Sequence, residues 1–354
     1  MLRINGSYGE GGGQILRTSL SLSVLTGQPI EIFNIRAKRK NPGLQRQHLV
    51  CVEACQKISG AKVFGAKIGS QILRFEPKKI KQGKYEFDIG TAGSTSLVIQ
   101  TILLPLAFAH QPSEILLIGG THNPWAPPFH YLKEVFLSMV KQLGIRAGVS
   151  LERWGFYPKG GGRVRLFIQP TAKLTAKNFL NRGELKEFSG LSVVANLPIE
   201  IAERQKNSVI KYLQRLRSYS REYDQRQLAE NIVVESVKTN SPGTFVFLKA
   251  YFANDIFAGF SALGERGKPA EKVAEEAAKQ FVDFYQSKKC LDPYLADQIV
   301  LYLALNKQPF AFTVSKITNH LLTHIWLLEQ FLGLKINIDL KENKIGRTGT
   351  AGRV

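Results

Sequence analysis

Apolar positions along this chain follow two periods in a recurring order. Short alternating runs at 2–5 and 29–35, and the pair 61–65 with 71–76, predict strands, while 13–26 and 45–58 carry the helical period. The same succession returns as 84–89 (strand), 93–110 (helix), 113–118 (strand), 129–143 (helix) and 146–152 with 163–169 (strands). A third pass, 292–305 (helix), 310–314 (strand), 319–332 (helix), 335–339 and 344–347 (strands), lacks only its first strand, which 173–181 would supply. The pattern therefore predicts an α/β (α+β) fold of three repeated strand-helix-strand-helix-strand-strand units with little residue identity between them. Between the second and third units lies a domain's worth of chain, 182–287, with its own alternation: strand 187–195, basic helix 199–217, strands 230–237 and 244–252, helix 269–286. The expected organisation is a main domain, 1–181 with 288–354, and an insert domain, 182–287.

Composition adds a charge argument. The 354 residues hold 48 Lys+Arg against 28 Asp+Glu, a formal charge of +20, with 44% hydrophobic residues as in ordinary globular proteins. An excess of that size attracts polyanions, RNA and DNA first among them. The basic residues of helix 199–217, Arg204, Lys206, Lys211, Arg215 and Arg217, offer one RNA-facing surface, though a solvated helix face accounts for them equally well. Three cysteines, Cys51, Cys55 and Cys290, make no disulfide framework and no zinc pattern with histidines. The longest apolar run, Leu97 to Ala109, is too short to span a bilayer and the N-terminal residues form no signal peptide. A soluble, cytoplasmic protein without membrane partners is expected.

Candidate chemistry gathers where strands give way to helices. Gly9-Glu10-Gly11-Gly12-Gly13-Gln14 opens the first helix, with Arg17 one turn on. Glycines at a helix mouth let backbone N–H groups and the helix dipole meet an anion. The run matches neither a Walker A loop nor a Rossmann fingerprint. Glu10 beside phosphates is favourable only if it holds a divalent metal or takes a proton, so Mg²⁺ or Mn²⁺ is the natural companion; taken alone, the run reads better as a plain glycine turn with an exposed Glu. Arg36, Lys38, Arg39 and Lys40 end a strand, and Arg46, Gln47 and His48 begin the next helix; forked guanidinium donors suit a triphosphate or an RNA phosphate, a solvated basic loop being the alternative. Gly90-Thr91-Ala92-Gly93-Ser94-Thr95 repeats the arrangement in the second unit, with Gln100 inside its helix. Asn123 to Pro128 makes a stiff segment suited equally to walling a base pocket or to a structural loop, and Gly155 to Gly162 a tight turn. In the third unit His320 stands in the first turn of the helix whose apolar face is Leu321, Leu322, Ile325, Leu328 and Phe331. Packed about a pseudo-threefold axis, the three units would ring one cavity with these mouths.

Taken together, GEGGGQILR (Gly9–Arg17), Arg36 with Arg39, RQH (Arg46–His48), the GTAGS loop with Gln100, Pro127, GFYPKGGG, YLADQ (Tyr294–Gln298) and HLLT around His320 resemble the RNA 3'-terminal phosphate cyclases, in that family's order and over nearly the whole chain. The resemblance implies units similar to the C-terminal domain of bacterial translation initiation factor 3. It implies ATP as co-substrate, with His320 the adenylylated nucleophile and Glu10 at metal and phosphates. It further implies Arg17, Arg36, Arg39 and His48 as catalytic, and Gln14, Gln47, Gln100, Pro127, Tyr294, Asp297 and Gln298 as ATP-binding. Partners would be ATP and RNA ending in a 3'-phosphate; a homodimer stays open. The product would be a 2',3'-cyclic phosphate, reached through RNA(3')pp(5')A with release of AMP and pyrophosphate. This chain departs from the family at His324, where relatives often carry Asn, and at Trp154, where Arg or His is usual. A non-catalytic homologue that only binds RNA in ribosome assembly is the competing expectation, and the pair His320 and Glu10 speaks against it. An enolpyruvyl transferase would need six units rather than three, and a lysine-adenylate ligase a Lys-x-Asp-Gly motif that the chain lacks.

Overall fold

The computed structural model describes residues 1–215, 230–306 and 308–348. Its α/β architecture is built of four small sheets and the helices on them. The first sheet has strands β1 (Leu2–Asn5), β2 (Ile30–Phe33), β3 (Lys62–Phe64) and β4 (Leu73–Glu76) in the order β1-β2-β4-β3. The second, β5 (Lys84–Asp88), β6 (Ser113–Gly119), β7 (Arg146–Arg153) and β8 (Gly162–Gln169), has the corresponding order β5-β6-β8-β7. In both, the first pair is parallel and the others antiparallel. A parallel pair needs a crossover, and α1 (Gly13–Thr26) and α3 (Thr95–Ala107) provide it.

The fourth sheet, β9 (Leu185–Ala195), β10 (Ile232–Val237), β11 (Gly243–Phe252) and β12 (Ile256–Leu263), is ordered β10-β9-β11-β12 and carries α5 (Ile199–Gln214) and α6 (Ala270–Ser287). Strand β12 is absent from the sequence expectation: Ala258, Gly259 and Ala262 dilute its strand signal, although Ile256, Ala258, Phe260 and Ala262 alternate inward. The expected basic helix ends at Gln214; residues 216–217, Arg217 included, lie outside the described residues. The remaining sheet, β13 (Phe310–Thr313), β14 (Asn337–Asp339) and β15 (Lys344–Arg347), has the order β13-β15-β14. Residues 173–181 form no regular strand beside it. They supply one parallel bridge, Phe179 to Phe312, in the place that β1 and β5 take beside β2 and β6.

The helices meet at α1, which packs against α2 (Arg46–Ser59), α3 and α8 (Asn319–Leu332), while α7 (Pro293–Leu305) packs on α8. Sequence chemistry marks their ends. Gly27, Gly60 and Gly333 terminate α1, α2 and α8 in the left-handed conformation, as C' glycines do. Ser94, Asp292 and Thr318 accept backbone N–H groups at the starts of α3, α7 and α8. Helix α4 (129–141) carries a π-turn at Leu132–Phe136, unforeseen from its periodicity, where Tyr131 and Val135 meet Gly259 of β12. Because α1 is the common neighbour, the mouths of α1, α2 and α8 converge.

Candidate active site

Thr318 caps α8, its hydroxyl accepting from Leu321 N at 3.1 Å, and this sets His320 in the first turn with its ring half-exposed. The ring is held from both sides. Nδ1 lies 2.7 Å from Gln14 Oε1, and Gln14 Nε2 donates to the His320 carbonyl at 2.9 Å. The buried Gln14 amide is thereby oriented with oxygen toward Nδ1, so Nδ1 carries the proton and Nε2 is left with its lone pair. Nε2 stands 2.9 Å from Glu10 Oε2. Burial holds the His320 pKa below its usual value; Glu10 opposes this and Arg17 and Arg39 add to it. A neutral imidazole and a carboxylate at this distance need a proton or a cation between them.

The Glu10 loop owes its path to two close approaches. A Cβ at Gly9, whose φ is +54°, would stand 2.3 Å from Thr323 Oγ1 on α8. One at Gly13 would stand 2.2 Å from His48 Nε2 and 2.9 Å from Arg17 Nη1. Tyr8 stacks on Trp326 at 3.9 Å, pinning the loop to α8 from outside. Arg39 Nη2 donates to the Glu10 carbonyl at 3.0 Å and lies 3.8 Å from its carboxylate. His48 completes a capping box on α2: its Nδ1 accepts from Gln45 N at 3.1 Å, which places the proton on Nε2, facing the α1 mouth. Desolvation first, then Arg17 and Arg36, push its pKa down to about 3. Arg17 itself is lowered, chiefly by desolvation, and has no hydrogen bond or ion pair among the described residues. Arg36 has φ +52° and spends Nη1 on its own loop, donating to Asn41 O at 2.6 Å and Gly43 O at 3.0 Å. Gln47 Oε1 accepts from Ser94 N at 3.1 Å and so joins α2 to the mouth of α3.

On the other side His320 borders a cavity of about 640 Å³. Gln14, Arg17, Gln100, Pro127, Tyr294, Asp297 and Gln298 line it with His320, whereas Glu10, Arg36, Arg39, Gln47 and His48 stand outside it. Gln100 Nε2 donates to Gln298 Oε1 at 2.7 Å, bridging α3 and α7. Asn123 donates to Ala92 O and anchors the 123–128 wall, from which Trp125 projects fully exposed. The far wall is one that sequence reasoning missed: Gly259 and Ser261 of β12, Glu265 and Lys268 beyond it, and Glu276 and Gln280 of α6. Residues so distant in sequence carry no spacing that announces a shared wall.

His324, one turn beyond His320, is buried between three helices. Its Nδ1 donates to the Asp297 carbonyl and its Nε2 accepts from Thr18 Oγ1 at 2.7 Å, so it needs to be neutral, and burial lowers its pKa to about 4. Trp154 stacks on the buried His122 at 4.3 Å and lies over the His122–His130 pair, whose Nε2 and Nδ1 are 2.9 Å apart. Desolvation lowers His130 to about 4. Folded-state values below the ordinary 6.5 mean that these histidines stabilise the fold above that pH and cease to do so as pH falls through 4. Thermal melts are therefore expected to drop between pH 6.5 and 4, by at most about 1.4 kcal/mol per pH unit for each histidine. His324→Asn should flatten the fall; an unchanged slope would refute the assignment.

The metal question turns on donors. Among the described residues no three His, Cys, Asp or Glu side chains cluster to hold an ion. Glu10 alone fits a cation that arrives with substrate phosphates and takes most of its ligands from them.

Sequence comparison bears on this constellation. The profile described as "RNA 3'-terminal phosphate cyclase" matches residues 8–338. The chain belongs to the RNA 3'-terminal phosphate cyclase family. It is an enzyme of that family: it is 42% identical to the RNA 3'-terminal phosphate cyclase of Gloeothece citriformis over 98% of this chain and 97% of the relative. It is 40% identical to the one of Pyrococcus abyssi over the full length of both. Among solved structures, the enolpyruvyl transferase NikO from Streptomyces tendae aligns with a TM-score of 0.27 and 12% identity, over 64% of this chain and 38% of that one, too low to carry an argument. Among the described residues no helix of this cyclase family member is long and apolar enough to cross a membrane.

Proposed function

We propose that this enzyme converts an RNA 3'-terminal phosphate into a 2',3'-cyclic phosphate at the expense of ATP, through an adenylyl group carried on His320. The observation that carries the reading is the His320 ring held between Gln14 and Glu10 at the edge of the cavity. With Nδ1–H fixed on Gln14, Nε2 attacks the α-phosphorus of ATP: the N–P bond forms, the bond to the β-phosphate oxygen breaks, and pyrophosphate leaves. Arg17, Arg39 and the Nε2–H of His48 receive that charge in a partly dry setting. A divalent cation held by Glu10 would neutralise phosphate charge there. Adenosine would occupy the cavity between Pro127 and Tyr294, with Gln100, Asp297 and Gln298 as polar partners and Gln47 and Arg36 shaping the surrounding loops.

An RNA 3'-phosphate oxygen then takes the adenylate, the N–P bond breaks, and RNA(3')pp(5')A results. The adjacent 2'-OH attacks the 3'-phosphorus, loses its proton and expels AMP. This closure is intramolecular, where effective molarities reach about 10⁵–10⁸ M, so little further catalysis is asked of the protein. DNA with a 3'-phosphate should accept adenylate and stop there, for want of the 2'-OH. The like strand orders of three sheets support a main domain of three units, 1–181 with 288–354, and an insert, 182–287.

The test is incubation with α-labelled ATP and Mg²⁺ or Mn²⁺. Acid-labile label is expected on the protein, discharged by RNA with a 3'-phosphate as the cyclic end forms. A folded protein that takes no label with either metal sinks the adenylyl-histidine reading.

A further inference from the structure

This inference rests on the adenylyl-histidine reading. In-line displacement at phosphorus sets the entering group opposite the leaving one. Pyrophosphate departs opposite the entering His320 nitrogen, and the RNA phosphate oxygen later enters opposite the same nitrogen as it departs. Both therefore use one side of the α-phosphorus, and the cations that receive pyrophosphate also receive the RNA end.

The surroundings of His320 say which side that is. The cavity lies toward Gln14, whereas Nε2 faces Glu10 and, beyond it, Arg39. Arg39 is flanked by Lys38 and Lys40, both exposed and neither with a hydrogen bond or ion pair among the described residues. The loop that presents them is braced rather than loose. Arg36 bonds to Asn41 and Gly43, and the turns Ala37 N to Asn34 O at 3.2 Å and Arg39 N to Arg36 O at 3.0 Å close it. Unpaired ammonium groups on a shaped loop, one residue from the arginine at the phosphates, suit a chain of further phosphates.

We infer that Lys38 and Lys40 form the polynucleotide-binding surface of this enzyme, gripping the backbone phosphates on the 5' side of the terminal one. Among the described residues nothing comparable ties the basic face of α5 to His320. Arg204 there is engaged with Glu271 at 2.9 Å and 3.0 Å, and Lys206 and Lys211 sit on the insert. That face provides the control for net charge alone.

Three proteins are compared: wild type, Lys38→Ala/Lys40→Ala, and Lys206→Ala/Lys211→Ala. Each is assayed for self-adenylylation without RNA, and for kcat and KM on a single-stranded RNA with a 3'-phosphate across a salt series. The loop variant is expected to self-adenylylate within about twofold of wild type and to keep kcat. Its RNA KM should rise about 10-fold at low salt, and the slope of log affinity against log salt should fall by about 1.4, two contacts at about 0.7 each for a single strand. The α5 variant should match wild type throughout. Unchanged KM and slope in the loop variant overturn the inference, as does an equal loss in the α5 variant, which would reduce the effect to overall charge. Lost self-adenylylation in the loop variant overturns it too, by moving the lysines to the triphosphate. If wild type itself takes no adenylate, the adenylyl-histidine reading has failed and this surface falls with it; wild-type adenylylation with unaltered variants condemns the surface alone.

Discussion

Replacing His320 by alanine is expected to abolish the covalent adenylate, a loss of about 10⁴-fold or more in turnover, while the thermal midpoint stays within a few degrees of wild type. The asymmetry follows from the surroundings. The ring is 46% exposed, and its polar contacts are confined to Gln14 and Glu10. Helix α8 is held instead by the Thr318 cap and by Leu321, Ile325, Leu328 and Phe331 in the core. Gln14 keeps its bond to the residue-320 carbonyl and lines the cavity, where water can meet its freed oxygen, so removing this partly exposed side chain costs little stability. Intact-protein mass after ATP, beside a melt of the same preparation, checks both halves. A mutant that still gains adenylate would move the nucleophile elsewhere.

Asp292→Ala has the largest expected effect on stability, about 2–4 kcal/mol. Asp292 is fully buried at the start of α7, and its Oδ1 accepts from Tyr294 N, Leu295 N and the Tyr131 hydroxyl, each at 2.9 Å. Alanine deletes the cap and strands a buried phenol, so two costs add. Asn keeps an acceptor and should cost much less. Burial, against the pull of these hydrogen bonds, raises the Asp292 pKa to about 6. A carboxyl raised above its unfolded value stabilises most below pH 4, and that contribution is lost as pH rises through 6. Denaturant unfolding of Asp292→Ala and Asp292→Asn, each at pH 5 and 7, measures cap and charge separately. Equal stability of the two variants would show that the cap contributes nothing.

Much of this was legible in the sequence because helix mouths announce themselves. Glycines before α1 and α3, Thr318 before α8, and apolar periods behind them locate the groups whose meeting at α1 the structure displays. Strand β12 was illegible because Ala and Gly occupy three of its eight positions, and the Phe179 bridge because a single residue makes no period. The use of Arg36 as a brace for its own loop was equally hidden: a guanidinium that closes a turn and one that awaits a phosphate read alike. The wall contributed by β12 and α6 depends on β12 packing against α4, which no local pattern encodes.

The pairing of Gln14 with His320 spans 306 residues. On the adenylyl-histidine reading, the residues that would receive phosphate emerge early in synthesis, on α1 and α2, and the proposed nucleophile follows only with α8. A nascent chain halted before α8 would therefore display cationic loops to RNA but lack the proposed carrier of adenylate, His320. On the adenylyl-histidine reading, competence arrives in one step, when α8 docks on α1.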